Sequence, residues 1–473
     1  MCKERLKYME KFFHLKEHGT TVRTEIMAGF TTFMAMAYIL MVNAGMFAEL
    51  GTVSYNAIYI ATAISAVIGT VLIGLLANLP LAQASGMGLN AFFVYTICFG
   101  LGLTYANALV LVLLDGIIFI LLTVTGLRKK IFDAIPDAVR VAIPAGIGLF
   151  IAFLGMQNSG MVVDNGATLV SLASFNVYTG GVQWGSIMPI LVTFFAMLAI
   201  AVMSHRNVKG SVLYGILGGT IMYYVLGFTV PGFYEGFADK LSFNPFTAFG
   251  EFATLAFGKV FTEGFNFTPF IEAHGMGSFI VMLITSALAF CMVDMFDTLG
   301  TLYGACARGG LLTEDDEVPN MDKAMLADAI ATTVGSVCGT STVTTVVESS
   351  AGVGEGGRTG LTALSTAFFF FVAMFLSPLA QLIPGCATAA ALIYVGVLMM
   401  ACVKDIDWTS ADIAVPAFLT IAMMPFTYSI SFGIAFGLIS HVIIAVFSGK
   451  AKKVNPTTWV IAILFALTFF LTH

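Results

Sequence analysis

Three carboxylates and one amide sit where a polar side chain is costly. Asp294 and Asp297 lie three residues apart in Met292-Val-Asp-Met-Phe-Asp-Thr-Leu-Gly-Thr301, inside a strongly apolar segment. At helical spacing they share one face, and Thr298 and Thr301 continue that polar stripe. A third acid, Glu348, stands in the stretch Cys338 to Gly357, CGTSTVTTVVESSAGVGEGG, between two long apolar segments. Ionisable groups at membrane depth mark ligand and ion pathways. Carboxylates this close together in a low dielectric cannot all stay ionised, so one of them can load and release a proton.

No Lys, Arg or His accompanies these acids at depth. The cluster is rich in acceptors and suits a flat ligand that presents N–H donors, such as a purine base, whose edge can lie against a carboxylate. It does not suit an anion. Asn90 offers both a donor and an acceptor to the same ring.

The elements that must hold these groups are not ordinary membrane helices. Thr340 to Val347 are small hydroxyl or β-branched residues, which favour extended backbone. Ser349, Ser350, Ala351 and Gly352 then suit a helix start, with Glu348 at the junction and Val347 and Ser349 beside it. An extended piece followed by a half-helix is the pattern of an interrupted transporter helix. Pro80-Leu-Ala-Gln-Ala-Ser-Gly-Met-Gly-Leu-Asn90 repeats the theme earlier in the chain. Gln83 to Gly86 could equally be a packing face of small residues.

Two further repeats set these pieces in register. Ser211, Gly215-Ile216 and Gly219 match Ser429, Gly433-Ile434 and Gly437. Ile135-Pro136 and Ile383-Pro384 each open a span two before that motif. The paired elements are seven spans apart, an odd number, so the second half is inverted in the membrane.

Composition agrees with a membrane chain. Of 473 residues 58% are hydrophobic and 10% charged, with net charge −6 and mean hydropathy +0.94. Soluble domains carry about 25% charged residues. Apolar runs near helix-spanning length exclude an outer-membrane barrel. The expected fold class is an all-α integral membrane protein of 14 transmembrane spans, two inverted seven-span repeats with interrupted third and tenth spans. The spans are expected near 24–48, 56–77, 82–101, 104–127, 137–156, 184–204, 210–229, 275–305, 323–339, 340–356, 359–382, 385–403, 411–427 and 430–448. With the N-terminus cytoplasmic, every basic residue except Lys240 and Lys259 falls inside, as the positive-inside rule requires. The outer loops 157–183 and 231–273 are expected to hold surface helices. The apolar piece 458–471 either crosses the membrane or lies on its surface. The seven cysteines show no metal spacing and read as small core residues.

Other polar residues carry weaker signals. Asp115, in the middle of the fourth span, is expected to pair with a neighbour's backbone or hydroxyl, a second proton site being the alternative. His441 reads as an interfacial packing residue, Glu355 and Arg358 as a gate or turn pair, and Glu314-Asp315-Asp316-Glu317 as a solvated loop. An anion carrier would need a cation or bare helix N-termini at the site. An intramembrane aspartyl protease would need its acids on facing helices, whereas Asp294 and Asp297 share one.

At these residues the chain resembles the AzgA-like purine permeases of the nucleobase–ascorbate (nucleobase:cation symporter) transporter family. The similarity is carried by Glu25-Ile-Met-Ala-Gly-Phe-Thr-Thr-Phe-Met-Ala-Met-Ala-Tyr38, Gln83 to Phe93, Val293-Asp-Met-Phe-Asp-Thr-Leu-Gly-Thr301 and Gly339 to Gly360, and it covers nearly the whole chain. The resemblance implies a non-enzymatic cell-membrane importer of a purine base, coupled to protons, with no other cofactor and often a homodimer embedded in lipid. Guanine or hypoxanthine is the expected substrate; an adenine- or xanthine-preferring permease is the alternative. It implies substrate binding by Asn90, Asp294 and Glu348 and proton coupling through Asp297 and Glu348, with Thr298, Thr301, Val347 and Ser349 supporting. It also implies a cytoplasmic segment 1–23, a core domain from 24–127 and 274–383, a gate domain from 128–230 and 384–448, an outer loop 231–273 and a C-terminal segment 449–473. The part after Lys453 lies outside the family's usual spans. The family's fourth span more often has a neutral residue where Asp115 stands.

Overall fold

Ten helices among the described residues are long and apolar enough to cross a bilayer. The structure is a computed structural model that describes residues 12–126, 135–230, 244–314 and 317–471. Residues 1–11 of the expected cytoplasmic segment, 127–134 at the first core–gate boundary, 231–243 of the outer loop, Asp315 and Asp316 lie outside the described residues, as do 472 and 473.

The chain runs α1 (Val22–Ala48), α2 (Tyr55–Leu76), β1 (Gln83–Ser85), α3 (Met87–Gly100), α4 (Tyr105–Thr125), α5 (Asp137–Asn158) and a hairpin of β2 (Val162–Asn165) and β3 (Leu169–Leu172). Then come α6 (Trp184–His205), α7 (Ser211–Thr229), the short α8 (Pro245–Glu251) and α9 (Lys259–Thr262), and the long α10 (Thr268–Gly309), kinked at Gly275. The remainder is α11 (Met321–Cys338), β4 (Val343–Thr345), α12 (Ser350–Gly354), α13 (Gly360–Ala380), α14 (Gly385–Asp405), α15 (Ala411–Thr427), α16 (Ile430–Phe447) and α17 (Pro456–Leu471). The chain is therefore mostly helical, with the third and tenth apolar stretches broken into strand plus short helix.

Packing divides the helices into two bundles. α1, α2, α4, α10, α11 and α13 pack on one another, while α5, α6, α7, α14, α15 and α16 form the second group. Outward faces are apolar, with Leu121 58%, Val124 71%, Phe228 73% and Phe368 60% exposed. Such a surface is stable only against lipid. Within each bundle small residues let backbones touch, since there is no hydrophobic drive between helices in lipid. At the α2–α13 crossing a Cβ added to Gly360 would lie 2.0 Å from the carbonyl oxygen of Gly74. Gly360→Ala is expected to force the two helices apart and to cost about 3 kcal/mol, seen as a lower unfolding temperature in detergent. An unchanged temperature would mean that the crossing is slack.

One expectation needs correction here. The outer loop 157–183 holds a β-hairpin, β2 paired antiparallel with β3, rather than surface helices. Asn165-Gly166 supplies the turn, and Val162-Val163 and Leu169-Val170 the strands. The piece from 458 is a packed helix. In α17, Phe465 is buried, and Phe469 stacks against Phe432 and Phe436 of α16 at ring distances of 5.3 and 5.1 Å. α17 also lies against α10, so it touches both bundles.

Candidate substrate site at the crossing of two short strands

β1 and β4 pair antiparallel inside the first bundle, Gln83 opposite Thr345, Ala84 opposite Thr344 and Ser85 opposite Val343. The bonding continues past both ends, Gly86 N donating to Thr342 O (3.2 Å) and Val346 N to Ala82 O (3.3 Å). All six strand residues are buried. This pairing answers the main objection to extended backbone at membrane depth, because each strand satisfies the other's N–H and C=O groups. Ser349 closes the corner. Its Oγ accepts from Ala82 N and donates to Ala82 O, both at 3.0 Å.

One side chain fastens the crossing to the helices, and sequence reasoning passed it over. Asp328 of α11 is fully buried. Its Oδ1 accepts from Gln83 Nε2 (3.0 Å), Thr345 N (2.8 Å) and Thr345 Oγ1 (3.1 Å), and its Oδ2 accepts from Thr298 Oγ1 (2.7 Å). Thr298 in turn lies 2.6 Å from the Thr344 hydroxyl, which donates to it because its own proton is already given to Asp328. Asp328 thus joins β1, β4 and α10 through four hydrogen bonds. Asp328 lies inside the expected span 323–339 but was not singled out there. The polar i, i+4, i+8 row Asp328, Thr332, Ser336 was the available signal.

The acids expected to do chemistry surround this crossing. Asp294 is fully buried. Its Oδ2 accepts from Thr332 Oγ1 at 3.2 Å, and its Oδ1 has no partner. Asp297, one turn on, is half-buried, and a Cβ placed on Gly86 would lie 3.7 Å from its Oδ2. The same Cβ would lie 2.8 Å from Thr344 Cγ2, so the bare backbone of Gly86 is what lets β1 turn into α3 against these side chains. Glu348 sits in the single helical turn Val347–Ser349, half-buried, and Tyr38 Oη of α1 donates to its Oε1 at 2.5 Å. Asp297 and Glu348 feel each other's charge, and Asp294 that of Asp297. Asn90 in α3 is fully buried; Ser85 Oγ donates to its Oδ1 at 2.7 Å, and its Nδ2 has no partner. Thr301 is buried on the same helix as the two aspartates, and Val347 is 47% exposed. Arg308, at the end of α10, reaches Ser350 Oγ at 3.2 Å from an exposed position.

The remaining polar residues fall differently from expectation. Glu355 and Arg358 do not pair with one another. Glu355 forms an ion pair with Lys209, while Arg358 Nη1 donates to the carbonyls of Val353 (2.7 Å) and Gly357 (2.8 Å). Both are better served by those partners, which finish the turn from α12 into α13. Glu25, another acid the sequence did not single out, is fully buried at the start of α13. It accepts from Thr359 Oγ1 (2.8 Å), Thr362 Oγ1 (2.7 Å) and the backbone N–H groups of Arg358 (2.9 Å) and Thr362 (3.1 Å). An acid there offsets the helix dipole and fills its free donors. Asp115 is fully buried, yet neither carboxylate oxygen has a partner, contrary to the pairing expected. His441 is half-buried and lines a cavity of about 410 Å³ with Asp137, Asp405, Asp412 and Lys453. That cavity belongs to the second bundle, and none of its lining residues comes from β1, β4 or the helices that follow them.

Two broken helices crossing through paired strands, ringed by membrane-embedded acids, define a multi-pass membrane transporter. The chain belongs to the nucleobase–ascorbate transporter family: residues 23–436 match the model of that permease family. It is a permease and not an enzyme. It is 39% identical to the guanine/hypoxanthine permease PbuO of Bacillus subtilis, over 97% of this chain and 100% of that one. It is 36% identical to the adenine permease AdeP of Escherichia coli, over 97% of this chain and 95% of that one. The fold is shared with the transmembrane domain of the cyanobacterial bicarbonate transporter BicA (TM-score 0.61, 17% identity, 86% of this chain and 96% of that one). SLC26A9 is similar too (TM-score 0.60, 13% identity, 90% of this chain and 66% of that one).

Proposed function

We propose that this chain is a proton-coupled importer of purine nucleobases, with guanine or hypoxanthine preferred. The observation that carries the reading is the set of acceptors at the strand crossing. Glu348 stands half-buried at the junction, with its Oε1 held by Tyr38 Oη. Asp294 keeps Oδ1 free, and Asn90 keeps a free amide donor. A carboxylate can accept the N1–H of hypoxanthine, or both N1–H and the amino group of guanine, while Asn90 Nδ2 donates to a ring nitrogen or carbonyl. Similarity to the guanine/hypoxanthine permease PbuO and the adenine permease AdeP supports a purine as substrate.

In this reading Glu348, Asp294 and Asn90 bind the base, and Asp297 and Glu348 exchange the proton; Thr298, Thr301, Val347 and Ser349 support them. The chain forms 14 spans in two inverted repeats with its N-terminus in the cytoplasm. The first bundle is the core that carries the site, the second is the gate, and two copies assemble through their gates. The core moves across the gate and exposes the site to each side in turn. No cofactor beyond the coupling proton takes part.

The test is uptake of labelled hypoxanthine by reconstituted protein under an inward proton gradient, with unlabelled guanine, adenine and xanthine as competitors. The expected result is accumulation that guanine suppresses most strongly and that a protonophore collapses to equilibrium. Uptake indifferent to the protonophore removes proton coupling. A labelled anion flux that purines fail to block would replace the purine reading with an anion carrier.

A further inference from the structure

The proposed mechanism leaves one buried acid unused. Asp115 lies in the middle of α4, whose other residues from Leu109 to Leu122 are apolar or glycine. It is fully buried, and both of its oxygens lack any hydrogen-bond partner. It is not splayed toward lipid. Its neighbour Gly116 is packed so closely on α11 that an added Cβ would lie 2.4 Å from Thr333 Oγ1. α4 rests on α10 and α11, the two helices that carry Asp294 and Asp328.

The titratable groups that face Asp115 are few. From α10 they are Asp294 and Cys291, and from α11 Asp328. Lys259 of α9, which also packs on α4, is engaged at the surface with Glu263. No cation among the described residues is placed to neutralise Asp115. Asp328 is saturated with four donors. Asp294, by contrast, has one unpartnered oxygen, and Asp115 has two. A carboxylate that is buried, unpartnered and next to another carboxylate is tolerated as the neutral acid and not as the anion. A proton on Asp115 removes its charge, and because the two carboxyls interact electrostatically, protonation of one bears on the other.

We infer that Asp115 is a second proton-carrying acid of the transport cycle, storing a proton with Asp294 behind the substrate site. The inference rests on the proton-coupled reading above. In it, Oδ1, the unpartnered oxygen of Asp294, serves either the substrate or the stored proton, so occupation of the site and loading of Asp115 are linked. Asp115 touches no substrate; it acts through Asp294.

The experiment uses the full chain reconstituted in liposomes, wild type beside Asp115→Asn, with labelled hypoxanthine as probe. Two readouts are taken: counterflow exchange without a gradient, and uphill accumulation under an imposed inward proton gradient. The expected result is counterflow within about twofold of wild type, because exchange needs no net proton movement, together with an accumulation ratio that falls to near one. Accumulation by D115N equal to wild type overturns the inference and leaves the transport reading standing. Failure of the wild type itself to concentrate hypoxanthine overturns both. If D115N does not fold, Asp115→Glu carries the test through the pH dependence of accumulation. A shifted profile supports a titrating role, and an unshifted one refutes it.

Discussion

Glu348→Gln is expected to lose purine binding while keeping its fold. Tyr38 Oη can still donate to the amide oxygen of Gln, so the contact that seats the side chain survives. What disappears is the charge, and one acceptor is replaced by an N–H pair that points at the donors of the base. A hydrogen bond to a charged group contributes about 1.5–3 kcal/mol, and an opposed pair of donors adds a penalty of similar size. Binding should therefore weaken by about a hundredfold or more. Titration of labelled hypoxanthine onto purified protein measures this, with the unfolding temperature in detergent as the control. A variant that binds as tightly as wild type would show that another group anchors the base.

Asp328→Ala should produce the largest loss of stability of any single change at the site. It strips the acceptor from Gln83 Nε2 and from the backbone N–H of Thr345, and frees the hydroxyls of Thr298 and Thr345. The hydroxyls can rotate toward other acceptors, but the amide and the backbone N–H cannot. Removing one member of a buried charged network costs about 3–5 kcal/mol. The expected outcome is poor yield, an unfolding temperature lowered by several degrees and no purine binding, since the two strands lose their common anchor. Asp328→Asn should fall between, because its amide retains one oxygen but turns donors toward donors. If D328A melts with wild type, the pairing of β1 with β4 holds the crossing without help.

How far the site could be read in advance depended on what surrounded each residue. Glu348, Asp294 and Asp297 stood out because each interrupts apolar sequence, where a carboxylate has no bland explanation. The strand of the tenth stretch was legible in its run of hydroxyl and β-branched residues, although only Val343–Thr345 pair as a strand. Asp328 and Glu25 were hidden by company. Each lies near the start of an expected span, with charged neighbours, Lys323 and Asp322 in one case and Arg23 in the other. Their burial follows from tertiary packing, α11 against α2 and α4, and α1 against α13, which local sequence does not encode. The partner of Asp115 was misjudged for a related reason. A buried acid is expected to find a donor, and the helices around it present further acids instead. The hairpin in 157–183 was legible, since Asn165-Gly166 is a strong turn signal, but it was outweighed by the helical context of its neighbours.

The last helix has two unlike flanks. Against α16 it is locked by interleaved phenylalanine rings, Phe469 between Phe432 and Phe436. Its Phe465 also borders a small void of about 80 Å³, lined with it by Phe432 of α16 and by Met282, Thr285 and Ser286 of α10. Close-packed aromatic surfaces resist shear, while a face with empty volume yields to it. In the proposed alternating-access cycle, sliding between the bundles would meet least resistance around this void, where Met282–Ser286 of α10 faces the tail of the chain.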